Sequence, residues 1–296
     1  MIKYPSLKDR VVIITGGGRG LGKIMALALL EQGARTMLTA ARSADELADT
    51  LAVAELIAPG ACRVMTADVS DFAACQKVAA ETKAVFGRID VLINNAARAP
   101  FAPGATATPG VRPKFWEAAV DTYEHMVSTN FVGPFLMAKA VLPDMLAQGF
   151  GKIINISTSR PTMLFSGSGP YGACKAGLEA ATVAWAKDLE GTGVTANVLL
   201  PGGPADTALL PGGGKGDLVD RAYRAGKGPL GLEGQGGGKG VLPPEIMAPP
   251  ALWMCADESN ATNGRRFVAR DWDPELPAQE AVANAMQPQN AAPLVM

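Results

Sequence analysis

The chain contains few of the residues from which metal sites and disulfide frameworks are built. Among its 296 residues there is one histidine, His125, and the four cysteines, Cys62, Cys75, Cys174 and Cys255, form no C-x-x-C pair. Zinc sites and disulfide scaffolds depend on such residues at close spacing. The sequence therefore predicts no metal site and a set of buried, reduced thiols.

An excess of charge of one sign is also missing. Lys and Arg number 27 against 28 Asp and Glu, a formal net charge of -1, so nothing electrostatic favours a polyanion such as nucleic acid. No apolar run approaches the roughly 20 residues that span a bilayer, and the N-terminus lacks the pattern of a signal peptide. We expect a soluble, cytoplasmic protein with neither nucleic acid nor a membrane as partner.

What the chain does contain is an alternation of short apolar runs with longer stretches of helical spacing. We predict strands at residues 11–15, 36–40, 63–67, 91–94, 153–157, 194–200 and 266–269. We predict helices at residues 21–32, 44–57, 72–86, 122–148, 172–190 and 244–256. Such alternation implies right-handed crossovers. The fold class is therefore α/β, a doubly wound, Rossmann-type parallel sheet of about seven strands with helices on both faces.

A glycine-rich turn follows the first predicted strand and precedes a helix. From Thr15 to Gly22 the sequence reads T-G-x-x-x-G-x-G. Glycines allow close backbone approach, and a helix N-terminus offers unpaired N–H groups and a partial positive charge to a pyrophosphate. We predict a dinucleotide site here, formed by Gly16, Gly18, Arg19, Gly20, Leu21 and Gly22.

A second chemical signal is the pair Tyr171 and Lys175, which opens a run of helical spacing. Residues i and i+4 share one helix face, so the phenol and the ammonium can point into one cleft. A nearby cation favours the phenolate and lowers the tyrosine pKa from its usual value of about 10, which suits proton transfer near neutrality. Taken alone, the spacing is also compatible with a chance match.

Two further segments run from an apolar strand into polar residues. One reads D-V-L-I-N-N-A-A from Asp90 to Ala97, and the other reads G-K-I-I-N-I-S-T from Gly151 to Thr158. Singly, each is also compatible with a buried strand that ends in a polar turn. In this order, with the glycine turn and the Tyr-Lys pair, they resemble the short-chain dehydrogenase/reductase family over most of the chain, from about Lys8 to Arg270.

The resemblance implies a role for each matching residue. Tyr171 matches the family's general acid/base, and Lys175 matches the residue that lowers the tyrosine pKa and binds the nicotinamide ribose. Asn130 matches an asparagine that interrupts a helix and holds a water in the proton relay. Asp68 and Val69 resemble the pair that contacts adenine. Asn95 resembles the residue that supports the nicotinamide half.

The residue that binds the substrate oxygen departs from the family pattern. Where the family places a serine thirteen residues before the tyrosine, this chain has Thr158, flanked by Ser157 and Ser159. A threonine hydroxyl donates the same hydrogen bond, although its β-branch restricts χ1 and adds a methyl group. We predict that Thr158 fills the role in altered geometry, with either flanking serine as the alternative.

Cofactor preference is predicted from charge. NAD-preferring members of the family end the second strand with an acidic residue that accepts from the ribose 2′-hydroxyl. Here the strand runs into Ala40, Ala41 and Arg42, and Arg19 lies in the glycine turn. Two guanidinium groups suit a phosphate, so we expect NADP, with NAD possible because Arg42 lies one place later than the family's usual basic residue.

Two regions interrupt the alternation, and a tail follows it. Residues 98–119 are rich in proline and residues 201–240 in glycine, and long loops of this kind at the carboxyl ends of strands usually serve function. We assign both to substrate enclosure, the second as a mobile lid, with plain surface disorder as the alternative. Trp116 either lines the substrate entrance or anchors a helix. We expect one domain over residues 1–270 and an extension over residues 271–296 that is loose or reaches a neighbouring subunit.

The sequence thus predicts an NADP-linked oxidoreductase that interconverts a secondary alcohol and a ketone, similar to a 3-oxoacyl reductase. An NAD-linked alcohol dehydrogenase and a non-catalytic dinucleotide-binding regulatory protein are the alternatives, because a fold does not guarantee chemistry. By resemblance, the predicted helices at residues 122–148 and 172–190 would form a homodimer or homotetramer.

Overall fold

A parallel sheet forms the centre of the molecule. The computed structural model describes residues 2–98, 114–164, 166–167, 169–203, 205, 207 and 242–288. Within these residues the strands are β1 (Val11–Thr15), β2 (Arg35–Ala40), β3 (Cys62–Thr66), β4 (Val91–Asn94), β5 (Gly151–Ile156), β6 (Val194–Leu200) and β7 (Arg266–Val268). All seven lie within one residue of the predicted runs or overlap them closely, because buried parallel strands read as nearly continuous apolar segments.

The strand order is β3-β2-β1-β4-β5-β6-β7, and every pairing between these strands is parallel. The order reverses direction between β1 and β4, where Val12 pairs with Val91. In such sheets ligands bind outside the carboxyl ends of the strands at this point. The prediction of a doubly wound, Rossmann-type α/β fold is confirmed.

Helices cover both faces of the sheet. They are α1 (Gly20–Glu31), α2 (Ala44–Ile57), α3 (Phe72–Phe86), α4 (Val120–Val127), α5 (Gly133–Gln148), α6 (Arg160–Leu164), α7 (Gly169–Asp188), α8 (Ala248–Cys255) and α9 (Ala278–Ala285). Alternate residues of β1 pack on opposite faces of the sheet. Val12 and Ile14 pack with α1 and α8, whereas Ile13 packs with α3 and α5. The strands are buried on both sides, as a doubly wound sheet requires.

The helix predicted at residues 122–148 is interrupted in the structure. Between α4 and α5 lies a π-helical turn, Ser128–Val132, in which Gly133 N–H donates to the carbonyl of Ser128. A π turn breaks the regular hydrogen-bond ladder, and such turns are frequent at functional sites. This turn contains Asn130, where the family resemblance implies an interrupted helix.

The C-terminal extension packs on the molecule's own core. Ala281 and Ala285 of α9 are fully buried and join the same apolar cluster as Trp253, Phe267 and Trp272. The expectation of a loose tail missed this helix, because small alanines give its sequence little apolar contrast. Most of the predicted loop 98–119 and of the glycine-rich segment 201–240 lies outside the described residues, and so does the end of the extension from residue 289.

Across the part of the chain that the structure describes, no helix is long and apolar enough to cross a membrane. The same residues hold no cluster of three or more histidine, cysteine or acidic side chains suited to a metal ion. The four cysteines are buried, with Cys174 on α7 at 5% exposure. Burial raises the pKa of each thiol, so they are protonated near neutrality.

Candidate active site

The glycine turn between β1 and α1 is built for close backbone contact. Gly16 and Gly20 have φ of 65° and 54°, in the left-handed region that favours glycine. A Cβ on Gly22 would lie 2.3 Å from the carbonyl oxygen of Gly16, so no other residue fits where α1 starts. The turn places the N-terminus of a 12-residue helix beside the carboxyl end of β1, and its glycines and free helix-start N–H groups are the kind that bind a dinucleotide pyrophosphate.

Neighbouring strands and helices hold this turn in place. The side-chain amide of Asn95 donates to the carbonyls of Thr15 and Gly16, each at 2.9 Å. The Thr15 hydroxyl accepts from the backbone N–H groups of Asn95 and Ala96, each at 3.0 Å. Thr50 of α2 donates to the carbonyl of Gly18 at 2.7 Å. Asn95 thus supports the cofactor turn directly, at the point where the strand order reverses.

The two arginines predicted to select the cofactor are both exposed, and they differ in their surroundings. Arg19 forms an ion pair with Glu46 in the first turn of α2, with 2.7 Å between Nη1 and Oε1. Arg42 lies close enough to Asp68 for its charge to lower the pKa of that carboxyl group. The strand end lacks an acid, as the sequence shows, but Glu46 brings one to the turn from the following helix.

Asp68 and Val69 follow β3 on the same edge of the sheet. Asp68 accepts from the backbone N–H and the hydroxyl of Ser70, at 2.9 and 2.6 Å. Partial burial would raise its pKa, but the Ser70 hydrogen bonds and the charges of Arg98 and Arg42 outweigh burial and lower it. Val69 is buried and packs where α5 begins, since a Cβ on Gly133 would meet its side chain at 2.7 Å.

Tyr171 and Lys175 lie on one face of α7 and point toward the end of β5. Lys175 Nζ is 5.9 Å from the centroid of the Tyr171 ring and donates to the carbonyl of Ile156 at 2.7 Å. The Thr158 hydroxyl lies close enough to the Tyr171 phenol to lower its pKa. Both residues are buried, at 8% and 2% exposure. The helix therefore places the phenol and the ammonium on one face, as their i, i+4 spacing implies, with the Thr158 hydroxyl nearby.

The direction of the Tyr171 pKa differs from the sequence-based expectation. Burial raises the pKa of Tyr171 to about 12, against a smaller lowering by the Thr158 hydrogen bond. Burial lowers the pKa of Lys175 to about 8, while Cys174 and Glu179 act in the opposite direction. Desolvation disfavours whichever form is charged. Burial is the largest influence on this pKa, so Tyr171 is protonated at neutral pH.

The three hydroxyls after β5 have different partners. Ser157 donates to the Glu179 carboxylate at 2.6 Å and is buried. Ser159 exchanges a hydrogen bond with Thr162 in α6 at 2.9 Å. Of the three, only Thr158 is close enough to Tyr171 to affect the pKa of its phenol. This arrangement favours Thr158 over either flanking serine as the group that meets a substrate oxygen.

Asn130 lies in the π turn and is fully buried. Its side-chain oxygen accepts from the backbone N–H of Arg98 at 2.7 Å, and its amide donates to the Arg98 carbonyl at 2.9 Å. Arg98 in turn donates from Nε to the Thr129 hydroxyl at 3.0 Å. Asn130 therefore links the segment after β4 to the interrupted helix by hydrogen bonds. This link lies on the same side of the molecule as Tyr171, at the carboxyl ends of the strands.

A cavity of about 470 Å³ lies beside α7, on a different face of the helix from Tyr171 and Lys175. Phe115 and Trp116 line it opposite Leu164, Gly172 and Ala176. Trp116 is 69% exposed and meets Phe115 edge to face at 5.0 Å, so it is not a helix-packing anchor. Neither Tyr171 nor Lys175 is among the residues that line the cavity.

Sequence reasoning missed Glu46, Glu179, Arg98 and Arg266 as parts of this region. Glu46 and Glu179 look like ordinary helix-surface acids in the sequence. Arg98 and Arg266 join the site only through contacts with residues 31 or more positions away, such as Thr129 and Glu179. The one available signal was the helical spacing of Glu179 from Lys175, which places both on one face of α7.

Comparisons with known proteins show the family of the chain. Residues 10–212 match the family model described as short chain dehydrogenase. The chain is 34% identical over 192 residues to 2-dehydro-3-deoxy-L-rhamnonate dehydrogenase (NAD(+)) from Sphingomonas sp. (strain SKA58), covering 65% of this chain and 71% of that protein. It is 37% identical over 201 residues to a 3-oxoacyl-[acyl-carrier-protein] reductase from Synechocystis sp. (strain ATCC 27184 / PCC 6803 / Kazusa), covering 67% and 75%.

A solved structure extends the likeness to nearly the whole fold. It is a metagenomic short-chain oxidoreductase in complex with NADP, with a TM-score of 0.67, 22% identity, and coverage of 89% of this chain and 97% of that one. The family match spans more than half of the chain. With the glycine turn, the Tyr-Lys pair and the sheet order in place, the chain belongs to the short-chain dehydrogenase/reductase family and is an NAD(P)-dependent oxidoreductase that acts on CH–OH groups.

Proposed function

We propose that this enzyme is an NADP-linked reductase or dehydrogenase that interconverts a ketone and a secondary alcohol, with Tyr171 as the general acid and base. The observation that carries the proposal is the burial of Tyr171 beside Lys175 and near Thr158, at the carboxyl ends of the strands where the glycine turn also lies. A proton donor and a hydroxyl meet there, where a carbonyl oxygen can accept from both.

The chain's own residues account for the proton side of the reaction. In reduction, the protonated Tyr171 phenol donates to the substrate oxygen while the Thr158 hydroxyl holds that oxygen by a second hydrogen bond. The raised pKa of Tyr171 keeps the donating form present at neutral pH. Lys175 is fixed by the Ile156 carbonyl and carries the nearest positive charge to the phenolate that remains. In oxidation the same groups act in reverse.

The bound nicotinamide cofactor supplies or accepts the hydride. Its pyrophosphate would be held by the backbone of Gly18, Gly20 and Leu21 at the start of α1, with Gly16 and Gly22 allowing the close approach. Asp68 and Val69 would meet the adenine. Asn95 would keep the turn against β4, and Lys175 and Tyr171 would meet the nicotinamide ribose.

NADP is favoured over NAD because two arginines lie near the expected 2′-phosphate position. In addition, β2 does not end in the acidic residue that would bind the ribose of NAD. The ion pair of Arg19 with Glu46 opposes this preference, since a phosphate would have to take the guanidinium from the carboxylate. One relative is named for NAD(+). An NAD-linked dehydrogenase on the same scaffold is therefore the second candidate, and Glu46 is the residue that favours it.

The direct test follows cofactor absorbance with NADPH and NADH against a panel of ketones, including a 3-oxoacyl thioester. Turnover that is faster with NADPH and absent in Tyr171→Phe supports the proposal. Preference for NADH supports the second candidate. Binding of a dinucleotide with no turnover of any carbonyl or alcohol would indicate the regulatory, non-catalytic alternative.

Assembly is part of the same proposal. Large apolar side chains are 37–72% exposed along α4, the π turn, α5 and α7, namely Val120, Tyr123, Phe131, Val132, Phe135 and Val183. An apolar face of this kind usually marks an interface, and we propose that it joins copies of this chain as a homodimer or homotetramer. Light scattering on the parent and on Phe135→Glu tests this, with a parent monomer as the contradicting result.

A further inference from the structure

A buried ion pair lies directly behind the catalytic group. Glu179, one turn along α7 from Lys175, accepts from Arg266 Nε of β7 at 3.0 Å. The two side chains are 11% and 15% exposed. The other carboxylate oxygen of Glu179 accepts from the Ser157 hydroxyl at 2.6 Å. Both carboxylate oxygens of Glu179 thus accept a hydrogen bond, one from Ser157 just after β5 and one from Arg266 of β7.

All three guanidinium nitrogens of Arg266 donate hydrogen bonds. Besides Glu179, it donates from Nη2 to the backbone carbonyl of Thr158 at 3.2 Å and from Nη1 to the side-chain oxygen of Gln287 at 3.0 Å. A guanidinium has its donors in a rigid planar fork, so these three partners fix one another's positions. The carbonyl of Thr158 is therefore held from behind while its hydroxyl faces Tyr171.

The C-terminal extension completes the arrangement. The backbone N–H of Gln287 donates to the carbonyl of Arg266 at 2.9 Å, and Met286 forms an antiparallel bridge with Phe267. Gln287 is placed there because Ala281 and Ala285 dock α9 on the core. The extension thus reaches the site of its own chain through Arg266.

We propose that Glu179 and Arg266, supported by Gln287, are positioning residues that set the backbone of Ser157 and Thr158 so that the Thr158 hydroxyl meets the phenol of Tyr171 and the substrate oxygen. The inference rests on the proposed roles of Thr158 and Tyr171 and goes beyond them. Stability does not explain the pair well, because a buried ion pair roughly repays its desolvation and often gains nothing over apolar residues. What it provides is fixed geometry at a strand end.

The main test is Arg266→Lys, which keeps the charge beside Glu179 but cannot donate in three fixed directions. We expect kcat to fall about tenfold or more, as a small misplacement of a catalytic group can cause, while the Kd for NADPH stays within about twofold. The matched control is Arg265→Lys at the adjacent residue. The backbone of Arg265 forms hydrogen bonds with Asn197 and Val198, and these do not depend on its side chain. That variant should retain the parent kcat.

A double-mutant cycle separates positioning from general weakening. If Arg266 acts through Thr158, Arg266→Lys should lower kcat far less in a Thr158→Ala background than in the parent. An equal loss in both backgrounds would overturn the proposal. So would parental kcat in Arg266→Lys, or in a folded Glu179→Gln/Arg266→Gln variant, which removes both charges together and leaves no unpaired ion.

Crystal structures of the parent and of Arg266→Lys give a readout that does not depend on activity. We expect the Thr158 hydroxyl to move away from the Tyr171 phenol while α7 and β5 keep their positions. An unmoved Thr158 contradicts the inference even if no substrate is found. Absence of turnover in the parent, with Thr158 displaced in the variant, would instead count against the proposed function alone.

Discussion

Along the carboxyl ends of the strands, the residues near β5 and the residues near β2 are built differently. At the β5 end, Tyr171, Lys175, Thr158 and Glu179 are buried, and the last three are held by specific hydrogen bonds. At the β2 end, Arg19 and Arg42 are exposed, with the Glu46 ion pair as the main restraint. Exposed charges interact weakly and are screened. Side-chain positions are therefore fixed at the β5 end, where we propose that the chemistry occurs, while the exposed charges at the β2 end, where we propose that the cofactor is selected, can change in small steps.

The largest expected effect is at the buried end. Tyr171→Phe removes the proton donor with little change in volume, so kcat should fall by about 10²–10⁴, the usual contribution of general acid–base catalysis. The Kd for NADPH, measured by fluorescence titration, should stay close to that of the parent. Substantial residual turnover would contradict the assignment of Tyr171.

Lys175→Met tests whether the ammonium serves both chemistry and the cofactor. Its charge lies nearest the phenolate that forms in the reaction, and its Nζ would meet the nicotinamide ribose. We expect lower kcat together with weaker NADPH binding, measured by steady-state kinetics and by titration. If cofactor affinity is unchanged, the ribose contact is not made.

Thr158→Val should cost about 1–3 kcal/mol of transition-state stabilisation, the range for a lost hydrogen bond in a buried site. Thr158→Ser keeps the hydroxyl and is the matched control, so it should retain activity. The value is obtained from kcat/KM of the two variants. Full activity of Thr158→Val would transfer the role to Ser159, since Ser157 already donates to Glu179.

Smaller effects are expected at the exposed end. Arg42→Ala should weaken NADP binding about tenfold, a change of about 1.4 kcal/mol, and leave NAD binding nearly unchanged, because NAD has no 2′-phosphate. Binding of both cofactors is measured by titration at fixed ionic strength. Equal weakening of the two would mean that Arg42 does not face the phosphate.

Glu46→Gln should give the smallest change, and in the opposite direction. Removing the carboxylate frees Arg19 from its ion pair, so NADP affinity should rise a few-fold, about the size of a surface ion pair, while NAD affinity falls or stays the same. Asp45→Asn, one residue earlier in α2, is the matched control. If the affinity for both cofactors rises equally, Glu46 does not contribute to selectivity between them.

Sequence reasoning recovered local patterns and missed long-range contacts. Strand positions followed from apolar runs, and the Tyr171 and Lys175 pair from helical spacing, because both depend on neighbours in the chain. The π turn at Asn130 keeps a helical pattern, so only the family resemblance implied an interrupted helix there. The Glu179 and Arg266 contact joins residues 87 positions apart, so it exists only once the sheet order is known. The raised pKa of Tyr171 depends on burial, which a motif does not convey.

The pairing of β1 with β4 sets a condition on how the enzyme folds. Asn95 holds the glycine turn through bonds that span 80 residues, and every strand pairing in the sheet is parallel, which makes such contacts slow to form. The nucleotide cradle therefore cannot exist until this long chain closure has occurred. Added cofactor should leave the refolding rate unchanged and slow only the unfolding rate, raising the midpoint of denaturation in proportion to the logarithm of its concentration.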